Sequence, residues 1–179
     1  MDIALYILAA LFAASIGYLF VACFCVLKFR TRLKSTSIKP NNRPGVTLYK
    51  PLHGMDYELE QNLLSFCDQD YPIFQIIFGV SSPDDAAVGI VLNVINARPD
   101  VDIELVINGQ INGQNPKISN LINMDAAAKH DILIISDSDM RVKPDYVDRV
   151  MAGFNDDKTG VVTCLYKGTP APDLASNLG

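Results

Sequence analysis

The sequence predicts an α/β domain, with a mostly parallel sheet covered by helices on both faces, behind one apolar N-terminal helix. Three observations predict it. Residues 3–27, IALYILAALFAASIGYLFVACFCVL, carry no charged side chain. From residue 46 onward, short apolar or β-branched runs alternate with stretches of helical period. Those runs are continuous rather than alternating in polarity, as in parallel strands buried on both faces.

The first segment is long enough to cross a bilayer, which takes roughly 20 apolar residues. Lys28, Arg30, Arg32 and Lys34 lie directly after it, whereas only Met1 and Asp2 precede it. By the positive-inside rule, this asymmetry puts the C-terminal side of the segment in the cytoplasm. A cleaved signal peptide would have its basic cluster on the other flank, so residues 1–27 read as a retained transmembrane anchor. Residues 28–45 form a basic juxtamembrane segment and a turn-prone linker, STSIKPNNRPG. Residues 46–179 form the α/β domain.

Within the domain, VTLYKPL (46–52) is a first strand. DYELEQNLLSFCDQ (56–69) is a helix with Leu59, Leu63, Leu64 and Phe66 on helical spacing and Asp56 as its N-cap. IFQIIFGV (73–80) is a buried second strand and DDAAVGIVLNVINARP a helix ending before Pro99. VDIELVING (101–109) is a third strand. KISNLINMDAAAKH (117–130) is a helix opened by Asn115-Pro116, with Ile118, Leu121, Ile122 and Ala126 near one face. DILII (131–135) is a fourth strand in the sheet interior, KPDYVDRVMAGF a helix begun by Pro144, and TGVVTCLYKG (159–168) a fifth strand.

Of the 179 residues, 49% are hydrophobic and 20% charged, with a net charge of −5. That balance argues for a folded domain and against nucleic acid as a partner, which calls for a basic surface. An acidic domain can still hold an anionic ligand where a divalent cation or a helix N-terminus supplies the positive field. The four cysteines show no metal-site spacing, and His53 and His130 each read as a loop or surface residue.

In parallel sheets ligands bind beyond the carboxyl ends of the strands. That places Lys50-Pro51, residues 81–85, residues 115–120 and Asp137-Ser138-Asp139 on one rim. Two carboxylates at i and i+2 in a strand-end turn suit a hard cation such as Mn2+ or Mg2+, which bridges carboxylates and phosphates. They equally suit side-chain capping of the turn. Asn115-Pro116 opening a helix, with Lys117 in its first turn, makes a seat for phosphate oxygens; a plain surface lysine is the alternative. No phosphate-binding or dinucleotide glycine fingerprint is present.

VTLYKPLHGMDYELEQNLLSFCDQDYP, NPKISNLINM and ISDSDMRVKPDY together resemble glycosyltransferase family 21, the ceramide glucosyltransferases and bacterial hopanoid-biosynthesis glycosyltransferases. SDSD and NLINM look closer to the hopanoid-associated branch. The resemblance implies a GT-A-like (Rossmann-like) fold and inverting, metal-dependent transfer of a sugar from a UDP-sugar to a membrane lipid hydroxyl. It implies that Asp137 and Asp139 hold the Mn2+ or Mg2+. Lys50, Pro51, Asp84, Asp85, Lys117, Asn120 and Asp137 are then the donor-binding residues. Ser82 stands where the family often has an acidic residue. The family's later aspartate and its Q/R-x-x-R-W motif have no counterpart, so the chain reads as the N-terminal, donor-binding portion. Its catalytic base is expected beyond Gly179.

The expected protein is therefore a membrane-anchored glycosyltransferase whose partners are a UDP-sugar, a membrane lipid and the bilayer. Its domain is expected on the cytoplasmic side, at a bacterial inner membrane rather than in the Golgi. Two other readings stay open. One is a noncatalytic tethered module that binds a nucleotide or a partner; the other is a metal-dependent phosphotransferase acting on a lipid phosphate.

Overall fold

A computed structural model describes residues 3–35 and 40–168. The chain divides into two units, residues 1–38 and residues 39–179. The first is one helix, α1 (Ile3–Ser35), within which Ile3–Phe29 is long and apolar enough to span a membrane. The helix continues through the basic cluster. Residues 36–39 of the expected linker and residues 169–179 of the expected domain lie outside the described residues.

The second unit is a four-stranded parallel sheet in the order β3-β2-β1-β4. Its elements run β1 (Val46–Pro51), α2 (Leu59–Cys67), β2 (Phe74–Val80), α3 (Ala87–Ala97) and β3 (Asp102–Ile107). They continue as α4 (Pro116–Met124), a 3-10 turn (Asp125–Ala127), β4 (Ile132–Ile135) and α5 (Tyr146–Ala152). Alternate residues of each strand face opposite layers. Val46 and Leu48 of β1 and Ile76, Phe78 and Val80 of β2 join Leu59, Leu63, Phe66, Val91, Val94 and Val147 in one apolar core beneath α2, α3 and α5. Tyr49 and Ile77 face the other way, onto Met124 of α4.

Four expectations are corrected. Residues 159–168 form no strand: Val161 and Leu165 are about four-fifths exposed and the segment makes no ladder with β4. A cleft of about 940 Å³ lies between it and β4. Its β-branched composition is therefore not matched by any ladder among the described residues. For the same reason β4 is an edge strand, not an interior one, and Leu133 and Ile135 are exposed.

Asp56 does not cap α2. The helix starts three residues later, after Glu58 in a left-handed conformation (φ 52°), and the Asp56 carboxylate accepts instead from Ser138 Oγ. Finally, α4 does not bury its isoleucines. Ile118 and Ile122 are about half exposed, while Ser119, Asn120 and Met124 turn inward. Hydrogen bonds set that rotation: Asn120 Nδ2 donates to Gly79 O at 2.8 Å, and Ser119 Oγ accepts from Asn112 N at 2.9 Å.

Candidate functional site on the sheet rim

Parallel pairing brings the carboxyl ends of β1, β2 and β4 to one edge, and the loops beyond them are tied together. Lys50 is the last inward-facing residue of β1. It points into the apolar core and is fully buried, with Nζ 3.9 Å from the centre of the Phe66 ring and within 3.5 Å of Ser136 Oγ. The same ammonium donates to the Asp137 main-chain carbonyl. Burial lowers it from its ordinary 10.5 to about 7, and Asp137, Asp139 and Asp56 act in the opposite direction. Lys50 thus lies beneath the rim, holding the main chain of the turn, while Pro51 closes the strand above it.

Asp137 sits where the β4 run ends. Ser136 N donates to Tyr49 O at 3.0 Å as a last ladder bond, and Met140 N to Asp137 O at 3.3 Å folds the chain back. The Asp137 carboxylate pairs with Lys117 Nζ, and both side chains are close to half exposed. Lys117 occupies the first turn of α4. Asn115 caps that turn, its Oδ1 accepting from Lys117 N at 3.0 Å and Ile118 N at 3.3 Å, and Pro116 takes the first helical position. Asp139 is exposed two residues beyond Asp137.

Gly79 explains how α4 comes so close. A Cβ there would lie 2.4 Å from Met124 Sδ and 2.6 Å from Asn120 Oδ1. Asn120 is buried, and its Oδ1 has no hydrogen-bond partner. Asn120 therefore anchors α4 to β2 from below rather than opening onto the rim.

Asp84 and Asp85 part company. Asp84 is exposed. The Asp85 carboxylate is 7% exposed and accepts from Gly54 N at 2.9 and 3.1 Å and from Ala87 N at 2.9 Å, with His53 Nδ1 at 3.3 Å. Ser82 Oγ accepts from Asp84 N at 3.2 Å, which tightens the same loop.

The structure also makes contacts that no local pattern in the sequence had marked. Ser138 binds Asp56; Arg141 reaches Asn62 Oδ1 (3.2 Å), Gln61 Oε1 (3.1 Å) and Glu58 Oε2 (2.7 Å). The Asp137–Asp139 turn is thereby strapped to the loop before α2. That loop bridges the rim, meeting Asp85 through Gly54 at one end and Ser138 through Asp56 at the other. The one signal that could have found it is the His53-Gly54 pair right after β1, with Gly54 at φ 68°.

As a metal seat, the turn offers two carboxylates and oxygen donors only. Among the described residues no group of three or more His, Cys, Asp or Glu side chains gathers. A pair of carboxylates matches a hard cation that takes its remaining ligands from phosphate and water; it does not match zinc.

The sequence model of glycosyl transferase family 21 matches residues 7–179. Ceramide glucosyltransferase 3 of Caenorhabditis elegans is 30% identical over 157 residues, 84% of this chain and 34% of the relative. The ceramide glucosyltransferase of Komagataella phaffii is 34% identical over 136 residues, 74% of this chain and 26% of the relative. The chain thus spans about a quarter to a third of the length of these relatives. Among solved structures, a mannosyltransferase from Pyrobaculum calidifontis, in complex with GDP-Man and Mn2+, superposes with a TM-score of 0.70. It is 23% identical, and the match covers 89% of this chain and 46% of that one; it establishes a GT-A-like fold. With the family match running over nearly its whole length, the chain belongs to glycosyl transferase family 21.

Proposed function

We propose that the rim binds the donor of a glycosyl transfer, a UDP-sugar, and that the chain forms the donor-binding part of an enzyme that glycosylates a membrane lipid hydroxyl. The observation that carries this reading is the Lys117–Asp137 pair, which joins the capped N-terminus of α4 to the strand-end turn over the buried Lys50. A helix N-terminus and a lysine attract diphosphate oxygens. Asp137 and Asp139 are the groups that would hold Mn2+ or Mg2+, and such a cation neutralises a departing diphosphate.

The chain's own residues then have distinct tasks. Lys117 exchanges its carboxylate partner for a donor phosphate oxygen. Arg141 and Ser138 keep the turn in register with α2, and Lys50 fixes the Asp137 main chain from below. Asp84 is exposed on the loop after β2 and would be free to meet the donor, while Asp85 holds the loop. The apolar Ile3–Phe29 helix would anchor the chain, with the basic flank and the domain on the cytoplasmic side. The names of the relatives favour ceramide as acceptor and glucose as the sugar. The SDSD and NLINM segments look closer to the hopanoid-associated branch, and a hopanoid is the alternative acceptor. Inversion at the anomeric carbon is what the family resemblance implies.

Calorimetry of the detergent-solubilised chain with UDP-glucose, with and without Mn2+, tests the reading. Binding should require the metal and vanish in Asp137→Ala/Asp139→Ala. Metal-independent binding that survives both substitutions would overturn it.

A further inference from the structure

The end of β3 and the loop before α4 carry one tetrapeptide twice, INGQ at residues 107–110 and again at 111–114. Each copy holds an Asn-Gly pair. In such a pair the main-chain nitrogen of glycine can attack the side-chain amide before it, because no Cβ shields that nitrogen. With the same residue on either side of both pairs, a difference in their reactivity comes from the fold.

The fold treats the two copies differently. Asn108 N donates to Val80 O at 3.0 Å, its carbonyl accepts from Asn123 Nδ2 at 3.0 Å, and its Oδ1 accepts from Gln110 N at 2.9 Å. Gly109 lies against Ser81, whose carbonyl oxygen would be 2.8 Å from a Cβ there. The Asn108–Gly109 peptide cannot turn without breaking these contacts. In the second copy Asn112 N donates to Ser119 Oγ, but the Asn112 carbonyl and Gly113 N make no hydrogen bond among the described residues. Gly113 is exposed at φ 112°, and a Cβ there would meet nothing within 4 Å. Its peptide can turn toward the Asn112 side chain, which is held by Asn123 Oδ1 at 2.8 Å and Gln110 Nε2 at 3.4 Å.

We propose that Asn112-Gly113 is a self-modification site whose product loosens the start of α4. Gly113 N loses its proton and bonds to Asn112 Cγ; the Cγ–Nδ2 bond breaks and Nδ2 leaves as ammonia. Water then opens the five-membered imide. Addition at Cγ gives aspartate, and addition at the main-chain carbonyl gives isoaspartate, with the chain rerouted through the side chain. One water enters and one ammonia departs, with no oxidant or reductant. Aspartate sets a carboxylate against Asn123 Oδ1, an acceptor whose own amide N–H groups are committed to Asn108 O and Gln110 O. Isoaspartate adds a main-chain carbon between Asn112 N, bonded to Ser119, and Asn115, the cap of α4.

Peptide mapping by mass spectrometry on the full chain, aged in detergent at mildly alkaline pH, tests this. Asn112 should exchange amide for acid at least about tenfold faster than Asn108, which must first open its hydrogen bonds. In urea the two should react at the same rate. Enzymatic methylation of isoaspartate should label position 112, and mildly acidic buffer should slow the reaction, since the attacking nitrogen is deprotonated. Asn112→Gln, whose longer side chain closes the ring poorly, should stay unmodified, while Asn108→Gln should age as the wild type does. Asn112→Asp, one of the two products, should lower the melting temperature by roughly 3–8 °C. Equal rates at the two positions of the folded chain overturn the inference. So does a folded chain that keeps the Asn112 amide while the urea-unfolded chain loses it. An effect on donor binding rests on the proposed diphosphate seat: Asn112→Asp should bind UDP with Mn2+ more weakly than the wild type. A fresh wild type that binds no UDP overturns that seat, and the mass gain at Asn112 still decides the modification site.

Discussion

The two faces of the sheet are built on different chemistry. Beneath α2, α3 and α5 the contacts are largely hydrocarbon, from Val46 and Leu48 through Phe66 to Val94 and Val147, with the fully buried Lys50 among them. On the opposite face, three buried apolar side chains (Tyr49, Ile77 and Met124) share the space with a polar lattice. There Thr47 Oγ1 donates to Gln75 Oε1 at 3.2 Å, Gln75 Nε2 to Ala127 O at 3.0 Å, and Asn120 Nδ2 to Gly79 O. The apolar face is non-directional and supplies stability. The polar face is directional: it fixes the rotation and height of α4, and so where Lys117 meets Asp137.

If that division holds, substitutions on the two faces should separate stability from binding. The largest stability loss is expected for Phe66→Ala, which empties the centre of the apolar face: about 3–5 kcal/mol by urea unfolding. Gly79→Ala forces a methyl against Met124 and Asn120. It should lose about 1–3 kcal/mol and, because α4 is displaced, should weaken nucleotide binding more than Phe66→Ala does at temperatures where both are folded. Equal effects on binding would break the comparison.

Lys50→Met sharpens it through pH. In the folded chain Lys50 is lowered to about 7, against an ordinary 10.5. Between those values the unfolded chain holds a proton that the folded chain lacks, so wild-type stability rises with pH across that window. The variant should be the more stable at pH 7, and its advantage should shrink toward pH 10 in parallel thermal melts. The smallest stability change is expected for Lys117→Ala. Its pair with Asp137 is about half exposed, and pairs of that kind contribute about 0–1 kcal/mol. Its affinity for UDP with Mn2+ should nevertheless fall by about tenfold, as for loss of a hydrogen bond to a charged group.

The apolar face was readable from the sequence because burial writes itself as period: Leu59, Leu63 and Phe66 at helical spacing, FQIIFGV as a continuous run. The polar face was not. Apolar period points to Ile118 and Ile122 as the buried side of α4, yet the helix turns on Asn120 and Ser119, whose partners lie 41 and 7 residues away. The strand-end carboxylates and the Asn115-Pro116 start were legible because each is local. The pairing of Ser138 with Asp56 and of Arg141 with Glu58 joins residues about 80 positions apart and leaves no local pattern. Residues 159–168 show the converse failure, in which strand composition does not bring the segment into a ladder with the free edge of β4.

The central claim is that Asp137, Asp139 and the first turn of α4 share one cation-bound diphosphate. Paramagnetic broadening of backbone amide signals by Mn2+, titrated into the full chain with UDP, tests it most directly. Broadening centred on residues 137–140 and 115–118, reaching residues 53–54 more weakly, is the predicted result. Broadening centred instead on the exposed acidic loop at Asp156-Asp157, or no change when UDP is left out, would contradict it.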